Sequence, residues 1–326
     1  MSERPHILVA SPTFPEVIAK LRAHFEVEAN EGDDVWKGQA FTSRLPGKSG
    51  AFLTGAQTVN AEVLAQAPEL KIVANMAVGF NNLDVAALEA AGVVGTNTPD
   101  VLTETTADFG FALLMATARR VTEAEHYLRA GLWGKWSYDL LLGSEIHGST
   151  LGIIGMGRIG QGIARRGVHG FGMNLIYHNR SQLDAATEAE LKAHYAPTKE
   201  EVLEKADHVV LVLPYTPAAH HLIGAAQIAL MKPTATLVNI ARGGIVDDVA
   251  LAKALQAKTI AAAGLDVFEG EPTVAKELLE CSNVVLTPHI ASATLQTRLQ
   301  MAHLAADNLI AFFKEGKPLT PVTKQR

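Results

Sequence analysis

The sequence predicts an α/β protein made of two doubly wound parallel-sheet domains. Three observations carry that expectation. The chain has 326 residues, 48% of them hydrophobic and 19% charged, enough for more than one core. Short β-branched runs alternate with Ala- and Leu-rich segments of helical period. Two such series occur, separated by a long helical stretch that starts near residue 101.

In the first series HILVA (6–10), FLT (52–54), KIVAN (71–75) and GVVG (92–95) read as strands. Helical patterns such as AEVLAQA and DVAALEAA lie between them. The segment ETTADFGFALLMATARRVTEAEHYLRAG then reads as one long helix, with apolar residues every three or four positions and Gly131 as its C-terminal stop. A helix of that length can bridge two domains. In the second series STLGIIG, MNLIYH, HVVLVLP, TLVNIA, AAGLDVF and NVVLTPH end strands near residues 154, 178, 213, 240, 266 and 287, giving six strands of a doubly wound sheet. Domain boundaries are expected near 100 and near 290, with 101–289 as one domain.

Composition narrows the partners. Lys plus Arg total 28 against 34 Asp plus Glu, a net charge of -6, and no basic tract is present, so no nucleic acid and no anionic membrane is expected. The single cysteine, Cys281, cannot form an internal disulfide and suits a reducing compartment. The N-terminus enters a short strand directly, and no apolar run reaches transmembrane length, so a cytoplasmic location is expected. No metal is called for.

The strand TLGII is followed by Gly155-Met156-Gly157-Arg158-Ile159-Gly160, a G-x-G-x-x-G turn that opens a helix. Gly155 can make the tight turn, Gly157 can let the backbone approach a pyrophosphate, and Gly160 can let the helix pack on the strand. The helix N-terminus would face the phosphates. About twenty residues on, where NAD-binding units present an acid to the ribose, the chain has Asn179, Arg180 and Ser181. Donors and a fixed positive charge at that place suit the 2′-phosphate of NADPH, with NADH also possible.

Arg242, Glu271 and His289 follow the carboxyl ends of later strands, the edge where open α/β sheets bind ligands. Each alone has an ordinary structural explanation: a surface ion pair, a turn cap or a satisfied buried histidine. Together they supply an anion clamp, an acid and a proton donor. That set suits hydride transfer to a 2-oxo acid, with Arg242 on the carboxylate, His289 donating the proton and Glu271 favouring the charged imidazole.

The segments ANMAVGFNNLD, NTPDVLTETTAD, LGIIGMGRIG, LPYTP, VNIARGGIVDD, GLDVFEGEP and TPHIASAT together resemble the D-2-hydroxyacid dehydrogenases, in their glyoxylate and hydroxypyruvate reductase branch. The resemblance runs almost from end to end. It implies a Rossmann cofactor domain at 101–289 and a flavodoxin-like substrate domain made of 1–100 plus 290–326, with a final helix near 293–315 returning to the N-terminal half. It makes His289 the acid/base, Glu271 its partner and Arg242 the third catalytic residue. It places Val78 and Gly79 at the substrate carboxylate, Thr106 and Asp266 beside the nicotinamide, Arg158 and Ile159 on the pyrophosphate turn, and Pro214 of LPYTP at the cofactor. It also implies a homodimer built around the stretch holding Trp133 and Trp136.

Two departures stand out: Ala219 where many relatives have Thr, and Phe80 where a tyrosine is common. Among rivals, formate dehydrogenases carry glutamine at the position of Glu271, and phosphoglycerate dehydrogenases usually continue into a regulatory domain. A 2-ketogluconate reductase, or a dinucleotide-sensing binding protein without turnover, is a further alternative on the same fold.

Overall fold

The structure, a computed structural model, describes residues 4–324. The chain divides into two compact units, one formed by residues up to Leu102 together with those from Ala293 onward, the other by Thr103–Ser292.

The first unit holds five strands: β1 (His6–Val9), β2 (Glu26–Ala29), β3 (Gly50–Leu53), β4 (Ile72–Asn75) and β5 (Val94–Thr96). All pairings are parallel and the order is β2-β1-β3-β4-β5, the flavodoxin-like winding. Successive side chains of a strand point to opposite faces, so each strand feeds two cores. Ile7, Val9, Phe52, Ile72 and Ala74 pack with Val17 and Leu21 and with Ala302, Ala305, Ala306 and Leu309 of the helix Leu295–Glu315. Leu8, Ala51, Leu53 and Val73 pack on the other side with Phe41, Leu64 and Leu88. The alanines let the last helix lie close to the sheet; a Cβ on Gly50 would stand 3.2 Å from Leu309 Cδ2 and 2.8 Å from Ile7 Cδ1.

The second unit holds seven strands: β6 (Thr150–Ile154), β7 (Asn174–His178), β8 (Ala193–Tyr195), β9 (His208–Leu211), β10 (Thr236–Asn239), β11 (Ala262–Leu265) and β12 (Val284–Leu286). The order β12-β11-β10-β9-β6-β7-β8 is the doubly wound Rossmann arrangement. Its winding reverses between β6 and β9, and that reversal is where such sheets open a crevice at their carboxyl ends. The central strands β9, β10 and β11 are wholly buried because helices cover both faces, which is why they read as continuous apolar runs.

Three expectations are corrected. The long helix is two, Thr103–Ala118 and Val121–Arg129, separated at Arg120 with φ +55°. Arg120 compensates the left-handed backbone by a bidentate pair with Glu123 (2.8 Å twice) and a bond to the carbonyl of Leu142 (3.1 Å). Apolar spacing continues across the break, so periodicity could not show it. The other two corrections are strands β2 and β8, which periodicity missed. β2, EVEA, is an edge strand with outward acids, Glu28 pairing with Lys48 at 2.8 Å. β8 is three residues at the opposite sheet's edge. Edge strands bury too little to show an apolar run.

The first helix of the second unit packs through small residues. A Cβ on Gly162 would stand 2.8 Å from Ala107 Cβ, and one on Gly110 would stand 2.7 Å from Ile240 Cδ1. Among the described residues no helix is long and apolar enough to cross a membrane.

His208, wholly buried at the start of β9, donates from Nε2 to the carbonyl of Glu145 (3.0 Å) and accepts at Nδ1 from Thr236 Oγ1 (2.9 Å). Both nitrogens are satisfied in the neutral ring, and burial lowers its pKa below 6.5. The unfolded chain takes up this proton first, so stability is lost as pH falls through about 6.5. His208→Gln is therefore expected to flatten the decline in urea-denaturation free energy between pH 7.5 and 5. An unchanged slope would show that His208 is not its source.

Candidate active site

The glycine turn sits at the winding reversal. Gly155 has φ +102°, and a Cβ there would lie 2.2 Å from the carbonyl oxygen of Val212 as β9 passes. A Cβ on Gly160 would lie 2.5 Å from the carbonyl oxygen of Gly155, so the helix Arg158–Arg165 can meet the strand only with glycine there. Gly157, the N-cap, is different: a Cβ there meets nothing within 4 Å. Two glycines are demanded by protein atoms, while the third faces open space at a helix N-terminus, as a pyrophosphate site requires. Arg158 is exposed at the first helical position, Ile159 is partly buried, and Pro214 is exposed just beyond β9.

At the end of β7, Asn179 turns inward. Its Oδ1 accepts from the amide of Met156 (2.6 Å), and the amide of Gly155 donates to the carbonyl of His178 (3.0 Å). Asn179, expected among the cofactor donors, also braces the glycine turn. Arg180 and Ser181 are exposed, and Arg180 has no ion pair among the described residues. The loop carrying them is tied down by Tyr177, whose hydroxyl donates to Glu188 Oε1 (2.7 Å) and accepts from the amide of Leu183 (2.8 Å). Burial, then the bond to Glu188, push that phenol up to about 12.

Thr106, on the helix Thr103–Ala118, is buried with no partner for Oγ1 among the described residues. A buried hydroxyl normally finds a partner, so an orphaned one fits a site that a ligand completes. The open Gly157 cradle, the exposed Arg180 and the orphaned Thr106 all fit a dinucleotide.

Arg242 follows β10 in a turn fixed by the buried Asn239, whose side chain accepts from the amide of Ala241 (3.0 Å) and donates to the carbonyl of Arg242 (3.2 Å). The next residue, Gly243, lies so close to Phe268 that a Cβ would sit 1.7 Å from its carbonyl oxygen. This approach brings Arg242 near Glu271. Burial lowers the Arg242 pKa and the Glu271 charge opposes that, so the guanidinium stays charged.

Glu271 Oε1 accepts from the amide of Phe268 (3.0 Å), and Oε2 lies 2.8 Å from His289 Nδ1. Burial alone would raise the Glu271 pKa. The hydrogen bonds from His289 and Phe268 and the charges of His289 and Arg242 outweigh burial and hold it below 4.5.

His289 is held at φ +54°, a conformation costing a non-glycine residue about 1 kcal/mol or more. The fully buried Asp266, just past β11, over-determines it. Asp266 Oδ1 accepts from Thr287 Oγ1 (2.7 Å) and the amide of Ile290 (2.8 Å), and Oδ2 accepts from the amide of Ala291 (2.8 Å). Asp266, expected beside the nicotinamide, also folds the 287–291 loop through these bonds.

Arg242, Glu271, His289 and Asp266 thus converge in the second unit. Val78 and Gly79 lie in the first, after β4. Their carbonyls accept from the side-chain amides of Asn97 (2.8 Å) and Asn75 (3.0 Å). Neither of their own amides has a partner among the described residues, as an anion-binding loop requires. Phe80 is exposed and Ala219 is buried. Sequence reasoning missed the supports Asn75, Asn97, Asn239 and Gly243. The signal was a polar amide at the end of an apolar strand, as in KIVAN and TLVN.

The family model described as "D-isomer specific 2-hydroxyacid dehydrogenase, NAD binding domain" matches residues 111–291. A glyoxylate reductase of Thermococcus gammatolerans is 45% identical over 326 residues, covering 99% of this chain and 97% of its own. One from Aeropyrum pernix is 44% identical over 328 residues, with the same coverage. Among solved structures, an NADPH-dependent glyoxylate/hydroxypyruvate reductase of Sinorhizobium meliloti, in complex with NADP and malonate, is 38% identical at a TM-score of 0.87 and covers 99% of each chain. With a Rossmann unit carrying the glycine turn and a match of this length, the chain belongs to the D-isomer specific 2-hydroxyacid dehydrogenases and is an NAD(P)-dependent oxidoreductase.

Proposed function

We propose that this chain reduces small 2-oxo acids, glyoxylate and hydroxypyruvate, to glycolate and D-glycerate, with NADPH preferred over NADH. The observation that carries the reading is the 2.8 Å contact of Glu271 with His289 Nδ1 beside the charged Arg242. The bound dihydronicotinamide supplies the hydride. Arg242 grips the substrate carboxylate and polarises the adjacent carbonyl. With Nδ1 held by Glu271, His289 presents Nε2 as the proton donor to the oxygen as it gains charge, and Glu271 balances the imidazolium before transfer.

Preference for NADPH rests on the missing acid after β7 and on Arg180, exposed at that strand's end without an ion pair among the described residues. The named relatives are glyoxylate reductases, which supports the substrate class. A homodimer fits the exposed apolar side chains after the helix Val121–Arg129. Leu132, Trp133, Trp136, Tyr138 and Leu142 are each more than half exposed, a density that marks a protein interface. A cytoplasmic place suits the single unpaired Cys281.

Following NADPH and NADH oxidation in parallel with glyoxylate and hydroxypyruvate tests the reading, and no turnover with either acid would overturn it. His289→Asn is expected to lower kcat by 100-fold or more, on the order set by loss of a general acid, with NADPH binding retained. Lost cofactor binding in that variant would show that the role is misplaced. Arg180→Ala is expected to weaken NADPH about tenfold or more and NADH little, since only the 2′-phosphate uses that charge. Equal losses would defeat the selectivity.

A further inference from the structure

His220, His221 and Glu269 lie outside the groups used above, and their ligand atoms all fall within 4.8 Å of one another. We propose that they form a binding site for one divalent transition-metal ion of the zinc class, which the sequence reading did not expect.

The backbone presents both imidazoles from a fixed loop. The amide of His221 donates to the carbonyl of Gly244 (2.7 Å), His221 is held at φ +50°, and Ile223 bridges Val246. Both Nε2 atoms lie beside Glu269, but the rings stack with centroids 3.9 Å and planes 20° apart, so for both lone pairs to meet one ion these exposed rings must rotate out of the stack. His221 Nε2 lies 2.8 Å from Glu269 Oε2, and His220 Nε2 lies 3.8 Å from Glu269 Oε1. The first contact is a hydrogen bond. The second is too long for one, yet is close to the edge of about 3.4 Å expected between two ligands of a tetrahedral zinc with bonds near 2.1 Å. Opening the shorter contact to that length needs only rotation of half-exposed side chains.

Behind His220, Tyr215 Oη lies at hydrogen-bond distance from Nδ1 (3.2 Å), while Asp247 Oδ2, 3.9 Å from His221 Nδ1, is near but not bonded. Binding the ion would release to solvent the proton that His221 Nε2 gives to Glu269, and the Tyr215 oxygen behind His220 is an outer partner of the kind that orients metal-binding histidines. Asp248, which accepts from the amide of Glu269 (3.1 Å), adds a further acid beside a cation. Two imidazoles and one carboxylate leave a fourth position for water, and imidazole with carboxylate suits zinc, nickel or copper over calcium or magnesium. The ion would tie the 220–221 loop to the 268–271 segment that carries Glu271.

Calorimetric titration of tag-free, chelator-treated protein with zinc chloride tests the proposal. One saturable zinc per chain is expected, with about tenfold or greater weakening in Glu269→Gln and in the double variant His220→Ala/His221→Ala, and no change in His289→Asn. Far-ultraviolet circular dichroism and a retained NADPH affinity confirm that the variants are folded. No saturable zinc in the wild type, binding undiminished in the folded double variant, or binding lost instead in His289→Asn would each overturn it.

Discussion

A buried carboxylate governs the reacting edge of the second unit. Asp266 has no solvent to share its charge with, and the donors it finds are Thr287 and the amides of Ile290 and Ala291. Burying an unpaired carboxylate is prohibitive, so the chain after β12 must curl around it. That curl leaves His289 in the left-handed region, a strain that persists because the donors on either side are committed. The imidazole then meets Glu271 at 2.8 Å, and Glu271 is itself fixed by the amide of Phe268. The proposed acid/base pair is thus positioned by a group that need not take part in proton transfer.

Close backbone approaches complete the arrangement. Gly243 against Phe268 joins the turn after β10 to the segment after β11, and Gly155 against Val212 joins the turn after β6 to the end of β9. Parallel strands deliver their carboxyl ends to one edge, and glycines let the loops there lie nearly in contact. The loops can be rigid because little space is left between them. Where space is left, at Gly157, the protein has a helix N-terminus and no side chain.

Much of this was legible in the sequence. Apolar runs marked the buried strands, because burial on both faces leaves no polar alternation, and Arg242, Glu271 and His289 could be picked out by following those strands to their ends. What was not legible has physical causes. Strands β2 and β8 are edges that bury little. The helix break at Arg120 depends on a salt bridge and a backbone angle that leave the apolar period intact. The tasks of Asp266 and Asn179 depend on partners distant in sequence, and the grouping of His220 and His221 with Glu269 depends on a loop crossing.

The central claim is that Asp266 holds His289 against Glu271. It is tested most directly by proton NMR of the His289 Nδ1–H, assigned by its loss in Glu271→Gln, and compared between wild type and Asp266→Asn. An asparagine cannot accept from all three donors, since one of its side-chain atoms is itself a donor. The account predicts that the resonance disappears or broadens into exchange in Asp266→Asn. An unchanged resonance in a folded Asp266→Asn protein would contradict it.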